Sequence, residues 1–265
     1  MRKTKKGIAI AAALGACMVA VASTGRIAVM VREEWRFADG GLDQYAVYVW
    51  DETLNRLNER VLYDANRADP IEKTTYSYKD GRLVSESTAD FSGAKVSSRT
   101  YEYDAAGRLI YEGGRDSKDK LRWASKYAYD SEGRRTLWIS LDALGAVIGR
   151  TTYYYDASGR RSKAEVRDAS GNTLAAIVDS YDAKGRLSER ATTGADGARK
   201  VVERWTYDGD SAQPLEISEE RDGAVYVRKR FFRDKDGNAV KMVVYDSKGA
   251  VREVRTYQYA FRDGK

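Results

Sequence analysis

The sequence predicts an all-β protein, one long antiparallel meander of β-hairpin repeats with a 26-residue period and roughly 18 strands, in a curled or spiralling sheet. The first observation behind this is a repeat. Tyr103-Asp104-Ala105-Ala106-Gly107-Arg108, Tyr129-Asp130-Ser131-Glu132-Gly133-Arg134, Tyr155-Asp156-Ala157-Ser158-Gly159-Arg160 and Tyr181-Asp182-Ala183-Lys184-Gly185-Arg186 set their aspartates 26 residues apart. The second is alternation between the turns. Leu121, Trp123, Ser125, Tyr127 and Tyr129 fall on one face of a strand, and Arg122, Ala124, Lys126 and Ala128 on the other. The third is composition: 23 glycines, two prolines and 19 tyrosines against five phenylalanines suit many strands joined by tight turns.

Taken from the N-terminus, residues 1–6 are basic, and 7–22 are uncharged and rich in Ala, Val and Ile. That is a secretory signal pattern, too short for a comfortable membrane span. Two processing sites compete. Ala20-Val21-Ala22 before Ser23 suits ordinary signal peptidase, while Leu14-Gly15-Ala16-Cys17 resembles a lipobox, in which Cys17 is lipidated. The expected organisation is a signal peptide over 1–22 and a single hairpin-repeat domain over 23–265. The expected locations are the periplasm, the outer membrane as a lipoprotein, or the exterior.

Beyond that segment, a second Asp-x-x-Gly follows some units by 12 residues, at Asp142 to Gly145 and Asp168 to Gly171. The spacing of turns therefore alternates 12 and 14. Extended both ways, the rule places 18 turn starts from residue 38 to residue 260. Their fourth position is Gly in 13 cases; the others are Asn55, Arg67, Asp119, Ser211 and Asp263. Asp at the first position accepts hydrogen bonds from amides two or three residues on, and Gly supplies the positive φ of a type I turn with a G1 bulge. The stretches between are strand length. A single flat layer would leave its apolar face wet, and so many twisted strands curl or close, so the Tyr/Leu face is expected inward. An outer-membrane barrel needs a continuous apolar lipid face, and the stretch from Arg160 to Arg167 is polar on both faces.

Charge and composition exclude several functions. The net charge is +6, but Arg2, Lys3, Lys5 and Lys6 of the leader account for four of the 46 basic residues. What remains is 42 basic against 40 acidic residues, so no nucleic-acid partner is expected. With no histidine and one cysteine, Ser-His-Asp and Cys-His catalysis, histidine zinc sites and an intramolecular disulfide are all excluded. The pairs Asp208/Asp210 and Asp234/Asp236 lack the loop of a calcium site, and there is no phosphate-binding glycine loop. Acidic residues mostly recur with the period, so none is marked as catalytic. No enzyme, metal or cofactor is expected.

The four units resemble the YD repeat of the Rhs family, with a shortened copy at Tyr76-Ser77-Tyr78-Lys79-Asp80-Gly81-Arg82-Leu83 and degenerate copies at Tyr207-Asp208 and Tyr245-Asp246. The resemblance implies hairpins stacked into a spiralling sheet, which in large members forms a shell around a C-terminal toxin. It also implies a surface or secreted protein, and carbohydrate binding by the repeats. The chain departs from that pattern in its short length and in lacking an Asp-Pro-x-Gly-Leu boundary; Asp69-Pro70 is followed by Ile71. A short, repeat-only relative without a toxin domain is expected.

Two readings of the repeated residues stay open. Tyr before the Asp and Arg after the Gly, near each other across a hairpin's end, form a structural clasp. Alternatively, Tyr103, Arg108, Tyr129, Arg134, Tyr155, Arg160, Tyr181 and Arg186 form a ligand-binding row on one sheet edge, its copies about 10 Å apart. The expected role is a non-enzymatic binding or structural module of the cell envelope, with a polysaccharide or other repetitive polymer as partner. The alternatives are a protein-interaction scaffold, pairing through an exposed terminal strand near 26–37 or 253–259, and a truncated relative of a toxin shell. Membrane contact is expected only through a lipid on Cys17. A hydrolase would require carboxylates of raised pKa in a concave pocket.

Overall fold

The computed structural model describes residues 19–21 and 26–263. Its strands are β1 (Val19–Val21), β2 (Arg26–Arg36), β3 (Leu42–Trp50), β4 (Leu57–Asp64), β5 (Pro70–Lys79), β6 (Arg82–Asp90), β7 (Lys95–Tyr103), β8 (Leu109–Asp116), β9 (Leu121–Tyr129) and β10 (Arg135–Leu141). They continue as β11 (Val147–Tyr155), β12 (Arg161–Asp168), β13 (Thr173–Tyr181), β14 (Leu187–Gly194), β15 (Arg199–Tyr207), β16 (Pro214–Arg221), β17 (Ala224–Arg233), β18 (Ala239–Tyr245) and β19 (Val251–Asp263). Short β1 lies beside β2, Val19 opposite Val29. Cys17 and the remainder of segment 1–18 lie outside the described residues.

From β2 to β19 every strand pairs antiparallel with the next, and β19 returns to β2. The curl expected from sequence is completed as a closed barrel of 18 strands. The segments that sequence leaves as terminal edges are each other's partners, in register from Val254 opposite Arg36 to Asp263 opposite Arg26. The turn expected at residue 260 is not made, because β19 runs straight through it to complete this seam.

Local turn chemistry sets the hairpins. At Asp104 the Gly107 amide donates to the Asp104 carbonyl (2.9 Å) and the Asp104 amide donates to the Arg108 carbonyl (2.9 Å). Gly107 sits at φ 82°, and the register slips one residue beside it, which is the G1 bulge. Two turns are tighter. Asp80-Gly81 and Asp222-Gly223 each place two residues in succession at positive φ, the two-residue turn whose twist suits a hairpin.

The register also fixes the barrel's geometry. Tyr48 faces Arg60, and Arg60 faces Thr74, two residues short of Tyr76. Tyr76 faces Glu86, and Glu86 faces Arg99, two short of Tyr101. The same two-residue stagger recurs at every second strand pair, up to β2–β3 beyond the seam, where Glu33 faces Ala46, two short of Tyr48. Nine such steps give a shear equal to the strand number, which corresponds to a strand tilt of about 36°. A round barrel of that kind is about 34 Å across between opposing backbones, wider than its inner side chains fill.

The face carrying Trp123, Ser125, Tyr127 and Tyr129 is less exposed than that carrying Arg122, Lys126 and Ala128, where only Ala124 is buried, as suits the concave side of a barrel. Trp35, Trp50, Trp138 and Trp205 share that inner face by register. The outer face carries Lys126, Arg150, Glu165, Glu189 and Arg204 at mid-strand, partly as ion pairs such as Arg204–Glu189 (3.1 Å) and Arg167–Glu165 (3.1 Å). An arginine or lysine at the midplane of a lipid face costs about 2–4 kcal/mol, so this exterior is not built as an apolar band. Buried apolar clusters lie along the wall beside the seam: Met30, Ala46, Tyr48 and Leu57 on β2–β4, and Val227, Met242 and Val244 on β17–β18.

Candidate functional site

The repeated Tyr, Asp and Arg residues meet at one rim of the barrel, where they bind one another. Within each turn the Asp carboxylate binds the Arg: the Nε of Arg108, Arg134, Arg160 and Arg186 donates to Asp104, Asp130, Asp156 and Asp182 at 2.7–2.8 Å. The same guanidinium then lies over the tyrosine of the next YD hairpin. Arg108 covers Tyr129 (5.1 Å to the centroid), Arg134 covers Tyr155 (4.9 Å), Arg160 covers Tyr181 (4.6 Å) and Arg186 covers Tyr207 (4.2 Å). Arg82 stands in the same relation to Tyr103 at 6.0 Å. Each tyrosine hydroxyl donates to a backbone carbonyl of the strand before it: Tyr103 to Leu83, Tyr129 to Leu109, Tyr155 to Arg135 and Tyr181 to Arg161, at 2.6–2.8 Å.

The clasp expected within one hairpin is therefore a chain of clasps between hairpins. A local reading pairs Tyr with the Arg of its own turn, but the G1 bulge turns the Arg toward the neighbouring unit. Cation–π contacts at exposed sites contribute about 0.5–1 kcal/mol each, and the ladder repeats them around the rim. Of the eight residues read as a ligand row, each hydroxyl has a carbonyl and each guanidinium a carboxylate. One face of Tyr129, Tyr155 and Tyr181 lies under a guanidinium, and the rings are half-buried.

The Arg160 amide, then its guanidinium, hold the carboxyl of Asp156 below its ordinary value of 3.8, and the corresponding amides do the same for Asp104 and Asp182. A carboxyl depressed on folding contributes stability that is fully present above its unfolded value and is lost as pH falls through the folded one. Thermal melts followed by circular dichroism should accordingly be flat near neutrality and fall in acid, below the ordinary value of 3.8. Asp156→Asn should shrink the acid fall; an unchanged profile would remove the clasp from the stability account.

A second constellation lines the inner wall. Two residues before each rim tyrosine, or its counterpart, stands Tyr48, Tyr76, Tyr101, Tyr127, Tyr153, Asp179, Trp205, Phe231 or Tyr257, all on the concave face. Charges stand among them on neighbouring strands, and Tyr127 donates diagonally to Glu112 (2.5 Å) and Tyr48 to Glu33 (3.0 Å). Burial pushes the Tyr76 hydroxyl up to about 12, with Glu86 adding to it. Tyr101, Tyr127, Tyr153 and Trp205 keep partial exposure on that face. This row was missed as a site, although the recurrence Tyr-x-Tyr-Asp announces it.

One member breaks the row. Asp179 replaces the aromatic residue, its side chain 2% exposed, and it receives the Nε of Arg161 (2.7 Å) and of Arg190 (2.7 Å). Across from Arg190 stands Glu203, whose carboxyl is raised by burial against the pull of Arg190. Glu203 faces Glu219, itself bound by Arg221 (2.6 Å). Among the described residues, no three His, Cys, Asp or Glu side chains converge as a metal-holding group.

Fold and wall together define a closed antiparallel barrel with a polar, aromatic interior. No protein-family model and no curated protein matches the chain. Among solved structures it is similar to a porin-like protein from Bacteroides uniformis, at 13% identity over 88% of this chain and 98% of that one, with a TM-score of 0.48. A porin-like protein from Bacteroides vulgatus is similar at 11% identity over 87% and 98%, with a TM-score of 0.28. TcdB2-TccC3 without its hypervariable C-terminal region is similar at 14% identity over 89% of this chain and 15% of that one, with a TM-score of 0.30. Identities and TM-scores of this size transfer no function.

Proposed function

We propose that this chain is a non-enzymatic binding module of the cell envelope, a short YD-type repeat protein exported by its N-terminal segment, that holds a polysaccharide against its inner wall. The observation carrying this reading is the row of aromatic residues on the concave face, most of them partly exposed and interleaved with carboxylates, guanidinium groups and hydroxyls. Aromatic faces stack on sugar rings, and the charged groups between them bind hydroxyls, as in ligand sites generally. The rim ladder is assigned to holding the hairpins together. The broken row at Asp179 is assigned to structure, since both oxygens of that carboxylate are occupied.

Binding of the purified chain to an array of neutral and acidic envelope glycans tests this. Glycan binding that is lost in Tyr127→Ala/Trp138→Ala, with an unchanged circular dichroism spectrum, is the expected result. Binding to none of the glycans, or equal binding by the folded double variant, would overturn the reading and turn attention to a protein partner.

A further inference from the structure

The inner arginines differ in one respect. Arg60 has Glu72 (3.3 Å), Arg99 has Glu86 (3.4 Å), Arg161 and Arg190 share Asp179, and Arg255 has Glu33 (3.4 Å). Arg135 has no carboxylate within ion-pair distance among the described residues. Its guanidinium lies 4.1 Å above the Tyr127 ring, and its Nε is buried without an acceptor. Tyr127, Tyr129 and Tyr153 surround it, and the residue as a whole is half-buried. A guanidinium cannot shed its charge, so a cation placed there without a counterion favours an anion from outside the chain.

The surroundings fit a sugar acid. Tyr127 stands directly opposite Trp138, the one place along the row where the facing position is also aromatic, so two adjacent strands form a platform. Trp138 donates from its indole to Ser125 Oγ (3.0 Å), which fixes the ring. Gly114 leaves room for the neighbouring Trp123, since a Cβ there would collide with the indole nitrogen. Next to this platform lies Arg135, without a carboxylate; Arg233, an inner-face arginine likewise without one among the described residues, is held instead by the carbonyls of Gly237 (3.1 Å) and Pro214 (3.1 Å).

We propose that Arg135 is the anion anchor of the inner wall, receiving the carboxylate of an acidic sugar whose ring stacks on Tyr127 and Trp138. This rests on the polysaccharide reading above and narrows it to uronate-bearing glycans. A charge-assisted hydrogen bond is worth on the order of tenfold or more in affinity.

The test compares an oligouronate with its carboxyl-reduced, neutral counterpart by calorimetry on the full chain, for wild type, Arg135→Gln and Arg135→Lys. Wild type is expected to prefer the uronate by about tenfold or more. Arg135→Gln is expected to lose the preference while keeping affinity for the neutral sugar. Arg135→Lys should keep part of it, since an ammonium holds the charge but not the planar fork. Equal binding of both sugars by wild type, or a preference that survives Arg135→Gln, would overturn the anchor and leave polysaccharide binding standing. Binding of neither sugar by wild type would overturn both.

Discussion

Thr256→Pro is expected to open the barrel. Thr256 lies in β19 between Lys241 of β18 and Glu34 of β2, and its hydroxyl donates to Glu34 (3.2 Å). In an antiparallel ladder, a residue's N–H and C=O both point to one neighbour, so proline here removes a donor and orphans an acceptor inside the sheet. The lost bond and the stranded partner together cost about 2–4 kcal/mol. That is a large part of a typical domain's stability. The consequence is topological as well as energetic. Only the seam joins β19 to β2, so weakening it exposes two long edge strands at once, and unpaired edges associate with other chains. Size-exclusion chromatography with light scattering should show oligomers or aggregate, together with a lowered Tm. Thr256→Val, which loses only the hydroxyl, should remain as the wild type in size. A Thr256→Pro variant with the size and Tm of wild type would show that the seam does not hold the fold.

That seam was the part of the fold least legible in the sequence. Individual turns were legible because Asp and Gly act over four residues, and the expected G1 bulge is found where Gly107, Gly133, Gly159 and Gly185 take positive φ. Strand faces were legible because side chains alternate with period two. Closure depends on a two-residue stagger summed over nine hairpins and on pairing between residues as far apart as Glu33 and Arg255. No window of the sequence displays either. The repeat rule itself misled at residue 260, where it called for a turn and tertiary pairing kept a strand. The clasp was legible in its residues and not in its partners, because reasoning within a hairpin cannot tell which neighbour a long guanidinium reaches. The inner row was visible as a pattern, Tyr-x-Tyr-Asp, but its place on a concave wall follows only from closure. The unpaired charge of Arg135 was invisible, because it lies in what its surroundings lack.

Asp179 provides the sharpest test of that inner wall. Eight of the nine equivalent positions, from Tyr48 to Tyr257, are aromatic, so packing alone would favour an aromatic residue here as well. The carboxylate is instead enclosed by Arg161 and Arg190. Removing one member of such a buried group leaves uncompensated charge, at about 3–5 kcal/mol. Asp179→Ala is expected to fall in that range, toward its lower end because both arginines keep 26% exposure and can rehydrate. Asp179→Tyr restores the aromatic rhythm yet should be nearly as damaging, since two guanidinium groups then face each other without a counterion. Replacing all three together, as Asp179→Tyr with Arg161→Leu and Arg190→Met, should recover most of the loss, because an apolar set of similar volume bears no desolvation penalty. Urea titrations followed by tryptophan fluorescence would report the midpoints. If Asp179→Tyr alone matched the wild type, the arginines would be solvated well enough to need no partner. The ion cluster would then be an accident of the repeat and would not be what holds β12, β13 and β14 together.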